Sequence, residues 1–196
     1  MERMERLYRR VVVLTLALML YGGIGAQAQV FNPANGHWYQ RIDSTVTWTE
    51  ARNLASLLEF QGRTGHLATV TSAEGNDFIV NNLGGFTALS GHWLGGFQDT
   101  SAPDYSEPAG GWRWVTGEAW SFTAWFEGGE PNNGFGTPEN FLVYEHAAGR
   151  WNDLPDVSNF GYVVEFSAPT APEPMSIGFL GLGLMTIGAV YRRKSR

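Results

Sequence analysis

The chain of 196 residues contains no cysteine. This absence excludes a disulfide framework, a thiol nucleophile and any metal site built from thiolates. The length suits one globular domain with appendages at its ends. Such a domain must gain its stability from an apolar core or from bound metal.

Basic residues are scarce outside the two ends of the chain. Eight of the thirteen lysines and arginines lie in the first ten or the last five residues. Between positions 29 and 171 there are sixteen acidic residues, five arginines and no lysine, so this segment has a formal charge of −11. An acidic body of this kind offers no electrostatic surface for nucleic acid. It favours cations, or neutral polar partners that bind through a cation.

The motifs of common enzyme classes are also missing. The sequence has no G-x-S-x-G motif and no glycine-rich phosphate loop, and its four histidines lack the H-E-x-x-H spacing of zinc hydrolases. Glu145 or Glu127 could pair with Asp153 as the carboxylates of a glycosidase, but nothing in the sequence sets such a pair at the required separation. We therefore predict that the protein is not an enzyme.

Residues 1–28 have the layout of a secretory signal peptide. A basic start precedes the apolar run from Val11 to Leu20, and Ala26-Gln27-Ala28 forms an A-x-A cleavage site. The alternative is a short membrane anchor, which is disfavoured because about ten apolar residues are too few to cross a bilayer. We expect cleavage after Ala28 and export across the inner membrane.

The C-terminal end resembles a second processing signal. A proline-rich linker at 167–174 ends in Pro-Glu-Pro, and an apolar transmembrane segment with a basic tail follows at 175–196. This order resembles the PEP-CTERM sorting signal of Gram-negative bacteria, whose tail is thought to be removed by an exosortase-type protease. The resemblance implies a cell-surface or extracellular protein that is attached to the membrane before processing. The alternative is a permanent C-terminal anchor.

Residues 29–166 are predicted to form one α+β domain. Two capping boxes, Thr47 to Glu50 and Thr71 to Glu74, each precede apolar residues at helical spacing and predict two short helices. Strand-like runs lie at 38–42, 66–70, 93–97, 111–115, 141–145 and 162–166. The predicted helices come early in the domain and most of the strands come late, an order that favours antiparallel sheets. The stretches 98–111 and 127–139 have no periodicity and are expected to be long functional loops.

Side chains with oxygen donors are concentrated in and after the second of these loops. They fall in three clusters, at 127–133, at Glu139-Asn140 and at Trp151-Asn152-Asp153. Calcium binds six to eight oxygens and accepts carboxylates and carboxamides together. A coordinating amide keeps its NH₂ free to donate, and a coordinating carboxylate keeps an oxygen free to accept. Amides and carboxylates that alternate around one ion would therefore present paired donors and acceptors, which match the two hydroxyls of a vicinal diol.

The order of motifs across residues 37–166 resembles the C-type lectin-like domain. These motifs are Trp38-Tyr39, Trp48 with Ala51, Gly65-His66-Leu67-Ala68, Trp93-Leu94-Gly95, Trp112-Arg113-Trp114, Trp125, Glu130-Pro131-Asn132, Trp151-Asn152-Asp153 and Tyr162 to Phe166. The resemblance implies a Ca²⁺ ion held by five candidate residues, Glu130, Asn132, Glu139, Asn152 and Asp153, with Pro131 in the cis form. The first four of these residues would also bind the hydroxyls of a sugar. Glu-Pro-Asn is associated in the family with equatorial hydroxyls, as in mannose and glucose. The family's half-cystine positions hold Ala55, Phe141 and Val164 here, and the fourth is lost near Pro155-Asp156, which predicts a core rebuilt without disulfides.

Two functions remain open at this stage. The first is an exported, calcium-dependent protein that binds mannose- or glucose-type glycans, with the exopolysaccharide or cell-surface glycans as the ligand implied by the sorting signal. The second is a calcium-stabilised protein-binding or matrix-structural module in which the ion only holds the long loop. The fold alone cannot decide between them.

Overall fold

The computed structural model describes residues 25–134 and 136–168. Most of the predicted signal peptide and nearly all of the predicted linker and C-terminal span lie outside these ranges. Within them, no helix is long and apolar enough to cross a membrane. The first described strand, Gly25–Ala26, pairs with residues 42 and 43, so cleavage after Ala28 would remove it from the domain.

The domain is built on a mainly antiparallel sheet of nine strands, with a separate two-stranded ribbon. The strands are β1 Gly25–Ala26, β2 Val30–Asn32, β3 His37–Val46, β4 Glu59–Phe60, β5 Arg63–Thr64, β6 His66–Leu67, β7 His92–Gln98, β8 Trp112–Trp114, β9 Phe141–His146, β10 Arg150–Leu154 and β11 Phe160–Phe166. The main path runs β1-β3-β11-β7-β9-β10, with β2 on β3, β6 on β11 and β8 on β7. One pair, β11 with β7, is parallel, which departs from the expected antiparallel pairing.

The helices begin where side chains cap their first turns. Helix α1, Trp48–Ser56, has the predicted capping box: the Thr47 side chain accepts from the Glu50 N–H, and the Glu50 carboxylate accepts from the Thr47 N–H. Helix α2, Ala73–Asn82, is capped by Ser72 rather than by the predicted Thr71, because the Ser72 hydroxyl accepts from the Gly75 N–H.

Both predicted helices are present, and the structure has one further helix of a single turn that was not predicted. A third helix, α3 at Phe86–Leu89, follows Gly85, whose φ of 78° reverses the chain after α2. Four residues are too few to show helical periodicity in the sequence. Leu89 is fully buried and anchors this turn to the core.

Apolar packing occupies the positions where the family has disulfides. Ala55 and Val164 are both fully buried in the same core cluster, and the Phe141 ring lies 4.6 Å from that of Trp48. Near the fourth position, the Asp156 carboxylate accepts hydrogen bonds from the N–H and hydroxyl of Thr49 at the start of α1. The predicted rebuilding of the core without disulfides is therefore confirmed.

A buried asparagine joins α2 to the strands beneath the long loop. The Asn76 Oδ1 accepts from the Tyr144 hydroxyl at 2.9 Å and from the Trp151 Nε1–H at 3.1 Å, and its Nδ2 donates to the Gly149 carbonyl. Asn76 is 5% exposed, and Trp151 and Tyr144 are fully buried. This network fixes Trp151, and with it the strand that carries Asn152 and Asp153.

Replacing Asn76 by alanine should destabilise the domain by about 2–4 kcal/mol, because it leaves buried donors and an acceptor without partners. The measurement is chemical denaturation followed by tryptophan fluorescence. Asn82→Ala is the matched control, since Asn82 is exposed on the same helix and should change stability by less than about 0.5 kcal/mol. Equal effects of the two substitutions would show that the buried network is not a stabilising element.

Candidate metal centre

The chain just before the long loop is hydrogen-bonded to β10 at Trp151. The Trp151 N–H donates to the Ala124 carbonyl, and the Phe126 N–H donates to the Trp151 carbonyl. The chain then turns back, because the N–H groups of Gly129 and Glu130 both donate to the Phe126 carbonyl. This turn brings Glu130 beside the end of β10. The Glu130–Pro131 peptide is cis, as the family resemblance implies.

Asp153 lies at the centre of the candidate residues. It is fully buried on β10, and its Oδ1 accepts from the Asn132 N–H at 3.1 Å. The Glu130 carboxylate lies near enough for its charge to raise the pKa of Asp153. The Asp153 Oδ2 is buried and has no hydrogen-bond partner among the described residues.

Glu139 closes the other side of the loop. It is 2% exposed, and its Oε2 accepts from the Gly134 N–H at 2.8 Å. Its own N–H donates to the Asn133 Oδ1 at 3.0 Å, with Asn133 in the left-handed region at φ 57°. The Glu139 Oε1 is buried and, in the part of the chain that the structure describes, lacks a hydrogen-bond partner.

The two candidate amides are placed differently from each other. Asn132 is exposed, and only its backbone N–H contacts Asp153. Asn152 is half-buried on β10, and its Nδ2 donates to the Glu145 Oε2 at 2.6 Å. The structure thus joins Asn132 directly to Asp153 and places Glu130 near them, whereas Glu139 and Asn152 are each held by a different partner.

Burial raises the pKa of all three acidic candidates. Desolvation is the largest cause for Asp153, whose pKa rises to about 6 although backbone N–H groups of residues 132, 133 and 153 favour its ionised form. Burial is likewise the main cause that raises the pKa of Glu130 and of Glu139. Neighbouring carboxylates add to the effect, with Glu145 acting on both. The site therefore disfavours its own negative charge when no cation is present.

The donor chemistry fits a calcium ion. One oxygen each of Glu130, Glu139 and Asp153 is buried without a partner among residues 25–134 and 136–168, and the two candidate amides add neutral oxygens. Hard cations prefer such an all-oxygen set, and calcium tolerates irregular geometry. In the described residues, however, no three acidic or histidine side chains are already gathered closely enough to hold a metal ion. An ion would therefore also need the amide oxygens and the Asp153 carbonyl.

Two neighbours of the site were not among the predicted ligands. Glu145 contacts Asn152, and the His146 Nε2 lies 3.6 Å from the Glu130 Oε1. The His146 ring stacks on Phe126, with centroids 4.1 Å apart. Both neighbours come from the end of β9, where the pairing with β10 shifts register. The sequence contains no signal for that shift.

Comparison with known proteins gives relatives that share only part of their length with this chain. No protein-family model matches it. Halomucin of Haloquadratum walsbyi is 31% identical over 166 residues, which are 76% of this chain and 2% of halomucin. C-type lectin domain family 4 member G of Mus musculus is 29% identical over 123 residues, 63% of this chain and 36% of that protein. The chain thus spans about a third of the mouse protein and a small fraction of halomucin.

Solved structures identify the fold. The carbohydrate-recognition domain of cow CD23, determined with a GlcNAc2Man3 oligosaccharide, has a TM-score of 0.56 and 23% identity, covering 73% of this chain and 95% of its own. C-type lectin CEL-I from Cucumaria echinata has a TM-score of 0.55 and 22% identity, covering 67% and 90%. A Ca²⁺-dependent type II antifreeze protein has a TM-score of 0.55 and 20% identity, covering 71% and 97%. The domain therefore has the C-type lectin fold.

The raised pKa of Asp153 predicts how the metal-free protein responds to pH. Its carboxyl binds a proton more tightly in the folded state, at about 6 against 3.8, so its contribution to stability falls as pH rises through that interval. Asp153→Asn should therefore stabilise the chelator-treated protein at pH 7.5 by roughly 1–3 kcal/mol and have less effect near pH 4.

Thermal denaturation at several pH values measures this difference. Asp77→Asn is the control, because Asp77 is exposed on α2. A pH dependence that is the same for wild type and Asp153→Asn would contradict the burial of an ionisable Asp153.

Proposed function

We propose that this chain is an exported, calcium-dependent carbohydrate-binding protein that recognises mannose- or glucose-type equatorial diols. The observation that carries the proposal is the set of three buried carboxylate oxygens, from Glu130, Glu139 and Asp153, that have no hydrogen-bond partner among the described residues. Buried carboxylates without partners are costly, and a divalent cation offsets that cost. The C-type lectin fold and the lectin relative support the same assignment.

The candidate residues would bind the ion, and most of them would bind the sugar as well. Glu130, Asn132, Glu139, Asn152 and Asp153 would hold Ca²⁺, which would supply direct coordination to a pair of sugar hydroxyls. The first four would also bind those hydroxyls, with carboxylates accepting and amides donating hydrogen bonds. Asp153 is fully buried, so its role is confined to the ion. The protein would bind its ligand without changing it.

A structural module is the second candidate function. One fold neighbour is described as a Ca²⁺-dependent antifreeze protein and not as a carbohydrate-binding protein. Calcium dependence in this fold therefore does not by itself imply sugar binding. In this alternative the ion would hold the loop at 127–139 against β10, and the site would bind no sugar. The contact of the Asn132 N–H with Asp153 supports it, since it couples the loop to the same site.

The location and partners of the protein are inferred from its ends. The predicted signal peptide at 1–28 and the predicted sorting signal at 172–196 would carry the domain across the inner membrane. Exosortase-type processing would then release it at the cell surface. The producer's exopolysaccharide or surface glycans would be the ligands within reach. The acidic body favours no interaction with nucleic acid.

Calcium titration tests the metal site. We expect the metal-free protein to bind Ca²⁺ in isothermal titration calorimetry, and Glu139→Gln or Asp153→Asn to weaken binding at least tenfold, about 1.4 kcal/mol, by removing a charged ligand. Glu127→Gln is the control, because the Glu127 side chain is 84% exposed and pairs with Arg150. If wild type binds no calcium, both proposed functions fail.

Sugar competition separates the two functions. With Ca²⁺ present, mannose should bind saturably, and a chelator should abolish binding. The double substitution Glu130→Gln/Asn132→Asp keeps one carboxylate and one amide but exchanges their positions. It should leave calcium affinity within a few-fold and weaken mannose binding at least about tenfold, because the donors and acceptors no longer match equatorial hydroxyls. Calcium binding without any sugar response in wild type would favour the structural module.

A further inference from the structure

Glu145 is a fourth carboxylate beside the candidate metal centre. On β9, His146 is opposite Arg150 and Tyr144 is opposite Trp151, so Glu145 between them has no partner on β10. An extra residue of this kind is a β-bulge, which changes the direction in which a side chain points. Here the bulge directs the Glu145 carboxylate to the Asn152 Nδ2, 2.6 Å away.

This hydrogen bond matters because it uses the group that would bind a sugar hydroxyl. When Asn152 coordinates an ion through its Oδ1, its Nδ2 becomes the donor toward the ligand. In the structure that donor faces Glu145. A ligand hydroxyl at Asn152 would therefore lie next to an acidic oxygen, and any group on the adjacent sugar carbon would be close to it as well.

The surrounding charges do not neutralise Glu145. Each of the five arginines of the body is engaged elsewhere: Arg41 with Asp43, Arg113 with Asp104, Arg150 with Glu127, Arg63 with backbone carbonyls, and Arg52 over the Trp48 ring. The body has no lysine. Within the described residues, His146 is the only ionisable base in contact with the site.

The charge balance of the site therefore stays negative. Glu130, Glu139, Asp153 and Glu145 together provide four negative charges when ionised, and a single calcium ion offsets two of them. Glu139 and Asp153 are each more than nine-tenths buried and keep an oxygen without a partner in the described residues, so these two carboxylates face the interior of the site rather than solvent. With one calcium ion bound, two negative charges would remain unbalanced, and a positively charged group of the ligand could pair with one of them.

We propose that Glu145 selects amino sugars, whose ammonium group beside a hydroxyl of the bound diol would pair with its carboxylate. This inference rests on the proposed sugar site. An ammonium on the carbon next to the hydroxyl held by Asn152 is within reach of an oxygen that already lies 2.6 Å from the Asn152 Nδ2. A hydrogen bond between charged groups is stronger than one between neutral groups.

The test compares methyl glycosides that share the same equatorial diol. The calcium-loaded protein is titrated by calorimetry with methyl glucosaminide, methyl N-acetylglucosaminide, methyl glucoside and methyl glucuronide. We expect the glucosaminide to bind about fivefold tighter than the acetylated and neutral glycosides. The glucuronide, whose carboxylate is on a different carbon from the amine, controls for the general acidity of the site. Glu145→Gln should remove this order while retaining binding of methyl glucoside, and Glu127→Gln should preserve it.

The possible outcomes separate this inference from the function on which it rests. Equal binding of the glucosaminide, its acetylated form and the glucoside to wild type would overturn the role of Glu145 and leave the lectin function standing. Binding of calcium but of no glycoside would overturn the lectin function itself. A second calcium ion per protein that is lost in Glu145→Gln would show that a metal, not an ammonium, meets the remaining charge. The comparison of the glucosaminide with its acetylated form uses only wild type, so it remains informative if Glu145→Gln does not fold.

Discussion

The burial of carboxylate oxygens without donors is the constraint on which the functional end of this domain depends. Asp153 is fully buried and Glu139 nearly so, yet each keeps one oxygen that no group in the described residues satisfies. Backbone N–H groups from the loop satisfy the other oxygens. Since a buried negative charge is expensive, the loop and β10 form an arrangement that a cation would complete.

That arrangement is maintained by the core rather than by the loop itself. Trp151 is fully buried next to Asn152, and it is held by Asn76 from α2 and by the Ala124 carbonyl just before the loop. Packing of Ala55 and Val164 provides cohesion where related domains have cysteines. The core thus fixes the position of β10, and the polar loop is hydrogen-bonded to it through Asp153.

The extent to which local sequence decided the structure can be seen in the helices. Thr47 and Glu50 cap α1 through contacts three residues apart, so the sequence was sufficient to place this helix. At α2, Thr71 and Ser72 are both good capping residues, so the local sequence did not distinguish them, and the structure has the cap at Ser72. The turn at Phe86–Leu89 is stabilised by burial of Leu89, which is a tertiary effect.

For the site, the sequence determined which oxygen donors are available and in what order along the chain they occur. Only the tertiary structure decided their partners: Asp153 with the Asn132 N–H, Glu139 with the Gly134 N–H, and Asn152 with Glu145. The last contact depends on the β9–β10 register shift, which no local pattern specifies. Residue type is a local property, whereas burial, strand register and the pKa of a carboxyl depend on groups that are distant in sequence.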